Sequence, residues 1–231
     1  MPGSASVQSP PTTTAYVLDS IRNNILNGYY PLGSRLDQKA IAEDLGVSLV
    51  PVREALRMLE GEGFVNINPR RGAFVTDISA EELEELYMIR AELEDLATRR
   101  AVPNLTPAQL TELANIIEQM EEATNEQDYA RLMELNQAFH FTIYNASNLR
   151  LLSEMMPSLW NRSRLYRRVF TYLPERAVQA LQEHKEIYNA CRAGDSASAG
   201  KAVRRNIRQT VSALLDEFLQ GENLTIQSVD E

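Results

Sequence analysis

Arg53 and Arg57 stand one helical turn apart in the stretch "LGVSLVPVREALRMLEGEGFV", residues 45–65. The apolar positions of that stretch, Val52, Leu56 and Leu59, fall on a different face, so a helix here keeps both guanidinium groups outside. A guanidinium fork can bond guanine O6 and N7 together in the major groove of a duplex. Proline in a helix interior costs about 3 kcal/mol. If Ser48 caps the helix, however, Pro51 falls in the first turn, where its missing N–H has no partner to lose. Proline also disfavours the α region at Val50, so the helix is expected to start at Ser48 or a residue or two later. Downstream, Arg70, Arg71 and Gly72 lie at a turn between two short alternating segments. That is the pattern of a β-hairpin, with a basic tip able to reach phosphate or the minor groove. The competing reading pairs Arg53 and Arg57 with Glu43, Glu54 or Glu60 on a solvated face. A short helix, the Gly46 turn, a capped helix and a basic hairpin in series favour DNA.

A second group consists of polar residues on stripes that should be buried. In the segment 128–146 the stripe Tyr129, Leu132, Met133, Asn136, Phe139/His140, Ile143, Tyr144 holds Asn136 and His140 one turn apart. In 174–193 the stripe Ala177, Leu181, His184, Ile187/Tyr188, Cys191 holds His184; Asn206 lies between Val203 and Thr210, and Arg90 between Leu86 and Leu93. A buried arginine without a partner is very costly, so Arg90 invites an anion. Singly, each residue has a plain structural explanation, such as a satisfied core histidine or an arginine whose head reaches solvent. Together they come from four helices and include both histidines of the chain. They outline a polar pocket in an apolar body, the usual build of a small-molecule site. The effector candidates are therefore Arg90, Asn136, His140, His184 and Asn206. A metal-dependent enzyme built on His140 and His184 is the weaker reading. The stripe offers no nearby carboxylate as general base and no third strong ligand.

Two different parts of the chain must position these groups. From Ala15 to Asp77 the elements are short and separated by "GYYPLG", "LGVS" and "GEGF". Thr14–Asn27 carries Val17, Leu18, Ile21 and Ile25 at helical spacing, Gln38–Leu45 is a short helix ended by Gly46, and a third helix runs from near Ser48 to about Glu62. After Ile78, helices are expected at about 80–101, 107–126, 128–146, 149–170, 174–193 and 196–219. The patterns Ser79–Glu82 and Thr106–Gln109 fit capping boxes, the second with Pro107 at the first helical position. The fold class is mainly α, an N-terminal winged helix-turn-helix followed by an antiparallel six-helix bundle. The expected divisions are a disordered arm (1–13), a DNA-binding domain (14–77), an all-α domain (78–220), to which the family resemblance given below assigns effector binding and dimerisation, and a flexible tail (221–231).

Charge follows the same division. The net charge is −9, but residues 1–77 hold seven Lys/Arg against eight Asp/Glu, so the acidity belongs to the remainder. The densest basic run, "NRSRLYRRVF", carries Arg164, Arg167 and Arg168. It is read as pairing with acidic helices or with a partner subunit, DNA flanks being the lesser reading. No apolar run approaches the roughly 20 residues that span a bilayer. The N-terminal segment has neither a basic region nor an apolar core of a secretory signal, and the single Cys191 excludes an intrachain disulfide. A cytoplasmic protein with no membrane partner is expected.

The stretch "GSRLDQKAIAEDLGVSLVPVREALRMLEGEGFVNINPRRGAFV" closely resembles the winged helix-turn-helix of GntR-family transcription regulators. The segments "RAELEDLATRRA", "NQAFHFTIYNASNLRLL" and "HKEIYNACRAGD" resemble the effector domain of the family's FadR branch, and six helices look like its VanR-type subgroup. The likeness covers nearly all of residues 14–220. It implies that Lys39, Ser48, Leu49, Val50, Pro51, Arg53, Arg71 and Gly72 lie at the DNA; Arg35 and Arg57 complete the candidate contacts. Leu49 stands where the family usually has a basic residue; it could pack on a thymine methyl. The resemblance further implies a divalent metal of the Zn or Ni type, held by an Asp and three His beside a carboxylate effector. The matching positions are Asn136, His140, His184 and Asn206, so two amides replace two ligands and no anionic donor remains. Two readings stay open: a metal whose shell an effector carboxylate completes, or a metal-free pocket where Arg90 and the histidines hold an anionic metabolite. The implied function is ligand-responsive regulation, by family habit repression, through a homodimer on a palindromic double-stranded DNA operator. The alternative is a constitutive DNA-binding protein with a vestigial pocket.

Overall fold

The computed structural model describes residues 12–77, 79–169 and 174–227. Most of the expected arm, Phe170, the last residues of the expected tail and the side chains of Arg167 and Arg168 lie outside the described residues. The chain divides into two compact units, Met1–Ile78 and Ser79–Glu231.

The first unit runs α1 (Thr13–Asn27), β1 (Arg35–Leu36), α2 (Gln38–Asp44), α3 (Leu49–Gly61), β2 (Val65–Asn68) and β3 (Gly72–Val75). Its core is the set expected from spacing: Val17, Ile21 and Ile25 of α1 and Val52, Leu56 and Leu59 of α3 are all buried. Each such side chain is worth about 1.5–3 kcal/mol of burial. Asp37 caps α2 by accepting from the Lys39 and Ala40 amides. Gly46, at φ +65°, ends it with paired bonds from the Gly46 amide to the Glu43 carbonyl and from the Val47 amide to that of Ala42. Helix α3 begins at Leu49, with Ser48 at the cap position, but the Ser48 side chain makes no capping bond. The expected serine cap does not form, and Pro51 is instead buried against the unit in the first turn. The hairpin pairs Val65 with Val75 through Asn68 with Gly72. Beyond expectation, the two-residue β1 adds itself to the other edge of β3, giving the strand order β1-β3-β2.

The second unit runs α4 (Ala80–Ala101), a 3-10 turn (Val102–Asn104), α5 (Pro107–Asn125), α6 (Tyr129–Asn145), α7 (Arg150–Val169), α8 (Pro174–Arg192) and α9 (Ser196–Gln227). Thr106 and Gln109 form a complete capping box with Pro107 in the first turn. The Ser79 side chain accepts from the Glu82 amide. Helix α9 packs along α4 and against α8, and α4 also meets α6 and α7. Small residues permit the α4–α9 approach, with Ala91, Ala97, Ala199 and Ala202 buried. A Cβ at Gly200 would lie 2.7 Å from Cγ of Arg99 and still closer to the Asp95 carboxylate. Asp95 is itself buried and tied to Arg99 and Arg204. Gly200→Val should therefore destabilise the protein by about 2–3 kcal/mol through overpacking, with little helix-propensity gain in return. Urea denaturation checks this. A midpoint equal to that of wild type would show that the helices can part without loss.

Candidate functional site

Helix α3 presents its outer face as the spacing requires. Arg53 and Arg57 are exposed, as are Lys39, Ser48, Arg35 and Arg71, whereas Leu49 and Gly72 are part-covered. Val50 is 62% exposed, an unusual position for a valine and a natural one for contact with a thymine methyl. Among the described residues no ion pair joins Arg53 or Arg57 to Glu43, Glu54 or Glu60. Glu54 accepts instead from the Thr14 hydroxyl at 2.9 Å, and Glu60 from the Ile67 amide at 3.0 Å, tying the hairpin to α3. Arg53 bonds through Nε to Oε1 of Gln38 at 3.3 Å, a neutral partner that holds the side chain in place without quenching its charge. Gln38 was not foreseen; its signal was only its position opening α2. At the hairpin tip Gly72 takes φ +103°, a conformation open to glycine, and Arg71 lies over the Phe74 ring at 5.8 Å. An open groove of about 510 Å³ runs between the starts of α1 and α3, lined in part by Thr13, Thr14, Ser48 and Pro51.

The polar residues of the bundle do converge. Arg90, His140 and His184 are fully buried and Asn206 nearly so. The Arg90 guanidinium lies 4.3 Å from the centre of the Trp160 ring and 4.8 Å from that of Tyr87. Trp160 meets His140 at 5.4 Å, and His140 meets His184 at 5.1 Å between ring centres. Phe139 packs edge-on to His184 at 4.8 Å. Asn206 follows through Glu183, the residue before His184, whose Oε2 accepts from its Nδ2 at 2.6 Å.

Arg90 is not alone, as the sequence reading supposed. Glu94, one turn along α4 and fully buried, accepts from its Nε at 2.7 Å. Burial works against the Arg90 charge, but the charge and hydrogen bond of Glu94, with Tyr87 and Tyr144, together more than offset it and hold the guanidinium pKa above its ordinary value. Glu94 also accepts from the Tyr144 hydroxyl. Burial, and then the Glu94 charge, push the Tyr144 phenol well above its usual range, so it stays protonated. Tyr144 spends its only proton on Glu94, and its 2.8 Å contact with His140 therefore needs the imidazole Nδ1–H as donor. His184 likewise points Nδ1 at the Ala180 carbonyl, 2.5 Å away. In their neutral forms both rings then carry the lone pair on Nε2.

Glu183 forms a second buried pair, taking both Nη atoms of Arg176 at 2.8 Å; that guanidinium also bonds Thr210 Oγ1 at 3.0 Å. Sequence reasoning missed Glu94, Glu183 and Arg176. The available signal was their spacing, i,i+4 from Arg90 and i,i+7 from Arg176. Nη1 of Arg90 and Nδ2 of Asn136 are buried without a hydrogen-bond partner, as is Nε of Arg176 in the second pair. Cys191 is buried nearby on α8, and burial pushes its thiol up to about 12, which keeps it an unreactive thiol at neutral pH.

A Zn- or Ni-type ion does not suit this donor set. The imidazoles have the right tautomer and oriented outer partners. The other two positions are neutral amides, however, and the Asn206 amide is engaged with Glu183. The nearest carboxylates, Glu94 and Glu183, are each spoken for by an arginine. Among the described residues no three His, Cys, Asp or Glu side chains gather as a metal shell. Without an anionic ligand the charge of a divalent ion stays uncompensated.

A short helix, a glycine turn, an exposed recognition helix and a basic hairpin define a winged helix-turn-helix, here joined to a helical unit with a polar interior: the class is a DNA-binding regulator. Residues 13–75 match the gntR family of bacterial regulatory proteins, and residues 85–209 match the FCD domain. The chain belongs to the GntR family, with the FCD domain of its FadR branch. McbR of Escherichia coli (strain K12), an HTH-type transcriptional regulator, is 31% identical over 223 residues, covering 94% of this chain and 99% of McbR. The HTH-type regulator YdhC of Bacillus subtilis (strain 168) is 29% identical, with 88% and 92% covered. Among solved structures, E. coli McbR/YncC matches with a TM-score of 0.77 at 28% identity, over 90% of this chain and all of that one. A GntR-type regulator from Rhodococcus sp. RHA1 matches at 0.72 and 27%, over 88% and 97%. These families and relatives are transcription regulators, and the protein is a DNA-binding regulator rather than an enzyme. Among the described residues no helix is long and apolar enough to cross a membrane.

Proposed function

We propose that this regulator binds a near-palindromic operator as a homodimer and represses from it until a small carboxylate-type metabolite enters the helical unit. The observation that carries the ligand is the pair of buried donors without acceptors, Arg90 Nη1 and Asn136 Nδ2. Leaving such groups unsatisfied costs about 1–3 kcal/mol each, and a ligand bringing acceptor oxygens recovers that cost. Because Glu94 already balances Arg90, the ligand is held by geometry and hydrogen bonds more than by net charge. The amide and guanidinium donors, with His140, His184 and Asn206 around them, suit a small, oxygen-rich molecule and need no metal. On the DNA side, Arg35, Lys39, Ser48, Leu49, Val50, Arg53, Arg57, Arg71 and Gly72 form the proposed contact set; Pro51, expected among them, is buried and stiffens the helix start instead. Coupling follows if the ligand prefers one arrangement of the bundle, since only differential affinity shifts an equilibrium.

The test is a thermal-shift panel of small carboxylates on the full chain, with and without Zn²⁺, followed by gel shifts on the DNA flanking its own gene at stated salt. A ligand at 100 times its Kd should add about 2.7 kcal/mol of stability. The same ligand should weaken operator binding, and Asn136→Leu should lose the response. A panel that stabilises nothing would favour a constitutive DNA-binding protein with a vestigial pocket. Stabilisation by Zn²⁺ alone would contradict the metal-free site.

A further inference from the structure

Helix α3 offers a duplex a short list of reading groups. From Leu49 to Gly61 it carries no Asn, Gln, Ser or Thr. Adenine is ordinarily read by a bidentate Asn or Gln, so the helix has no side chain of that kind for it. The Gln38 amide on α2 has its oxygen engaged by Arg53, which closes the bidentate contact to that residue as well. Cytosine is read by a carboxylate that accepts from its amino group. Both carboxylates of α3 are turned elsewhere, Glu54 to the Thr14 hydroxyl and Glu60 to the Ile67 amide. Ser48, at the cap position, has a hydroxyl that serves any base and discriminates little. Over the first turns, where a recognition helix meets base edges, this leaves Arg53 and the apolar tip of Leu49 and Val50. The arginine suits guanine. Val50 is 62% exposed and has no hydrogen-bonding group on its side chain, and the apolar feature that base pairs show in the major groove is the C5 methyl of thymine. The β-branched side chain is stiff, and the buried Pro51 follows it directly, so little freedom is lost on contact.

We infer that the start of α3 reads a methyl group rather than a base pair: the C5 methyl of a pyrimidine, carried by thymine and equally by 5-methylcytosine. Val50 and Arg53 stand one turn apart, about 4.5 Å along the axis, against about 3.4 Å between successive base pairs. With α3 lying along the groove, the methylated pyrimidine therefore neighbours the guanine that Arg53 holds. Thymine and 5-methylcytosine put the methyl in the same place. They differ in the group beside it, an acceptor oxygen in thymine and a donor amino group in cytosine, and valine is blind to that difference. Methylation of a cytosine at this step therefore strengthens binding.

This inference rests on the DNA-contact set proposed above, and the test separates the two. The full chain selects duplexes from a random-sequence library. Each thymine of the selected consensus is then replaced in turn by deoxyuridine, which keeps the pairing and removes the methyl. At the thymine that responds, fluorescence anisotropy at one stated salt concentration compares T·A, U·A, C·G and 5-methyl-C·G duplexes, for wild type and for Val50→Ser, with melting curves confirming the fold. For wild type, U·A and C·G should each bind about fourfold more weakly per half-site, the worth of one buried methyl group, and 5-methyl-C·G within about twofold of T·A. Val50→Ser should bind all four alike. A selection that yields no consensus would overturn the DNA-contact set and the methyl reading together. A consensus in which no thymine responds to deoxyuridine would overturn the methyl reading alone. So would a C·G duplex that methylation does not rescue, or a Val50→Ser variant that keeps the wild-type pattern.

Discussion

Arg53→Ala is expected to lose operator binding by about 1–3 kcal/mol per half-site, the worth of one good bidentate contact to a base pair. Across the two half-sites of a homodimer that doubles to about 2–6 kcal/mol, on the order of 30-fold to 10⁴-fold. The fold should not notice. Arg53 is exposed, and its described bond is the 3.3 Å contact with Gln38. The variant should therefore melt as wild type does and still bind unrelated DNA through phosphate contacts, with the salt dependence of those contacts retained. Lys39→Ala makes the contrast: an exposed lysine contributes charge, so its loss should weaken operator and unrelated DNA alike. Fluorescence anisotropy on both duplexes at one stated salt concentration distinguishes them. If Arg53→Ala reads the operator as tightly as wild type, α3 is not the reading helix. The proposal would then have to move to the hairpin around Arg71.

What could be read from the sequence was whatever local signals determine. Gly46, Pro107, the Thr106–Gln109 box and the apolar stripes place helix ends and buried faces within a few neighbouring residues, and the structure puts them there. What could not be read depends on partners distant in the chain. Strand β1 exists because Arg35 and Leu36 meet Phe74 and Ala73, and two residues carry no periodicity of their own. Helix α9 continues to Gln227, past the end expected near 219. Gly221 there looks like a stop, yet glycine inside a helix costs only about 1 kcal/mol and does not by itself end one. In the interior, the stripes named Arg90, His140, His184 and Asn206 correctly as buried. They did not name Glu94 or Glu183, because an acidic residue beside an apolar stripe is read as solvated until the opposing helix is known. That omission mattered chemically. It turned Arg90 from a lone cation awaiting an anion into half of an internal pair.

That pair makes Glu94 the residue whose removal should cost the most stability. In Glu94→Ala the Arg90 charge stays in a core where it is 1% exposed, between Tyr87 and Trp160, with its partner gone. Breaking a buried pair from one side costs about 3–5 kcal/mol, because the remaining charge has neither water nor a counterion. The Tyr144 hydroxyl loses its acceptor at the same time. At roughly 2–4 °C per kcal/mol for a chain of this size, the melting temperature should fall by about 10 °C. Removing both charges should cost far less. Arg90→Met with Glu94→Leu replaces the pair by apolar groups of similar volume, an exchange that is often neutral or stabilising. With the single variants Arg90→Met and Glu94→Leu beside it, the double-mutant cycle isolates the coupling between the two from the packing change each makes. If Glu94→Ala unfolds within about 1 kcal/mol of wild type, Arg90 must be reaching solvent, and the enclosed pocket proposed for the ligand would not exist in solution. If the single variant is crippled and the double recovers, the interior is dry. In that case a metabolite that stabilises wild type but not the recovered double owes its affinity to the Arg90 donor, and stability and sensing have been assigned to different atoms of one side chain: Nε to Glu94, Nη1 to the ligand.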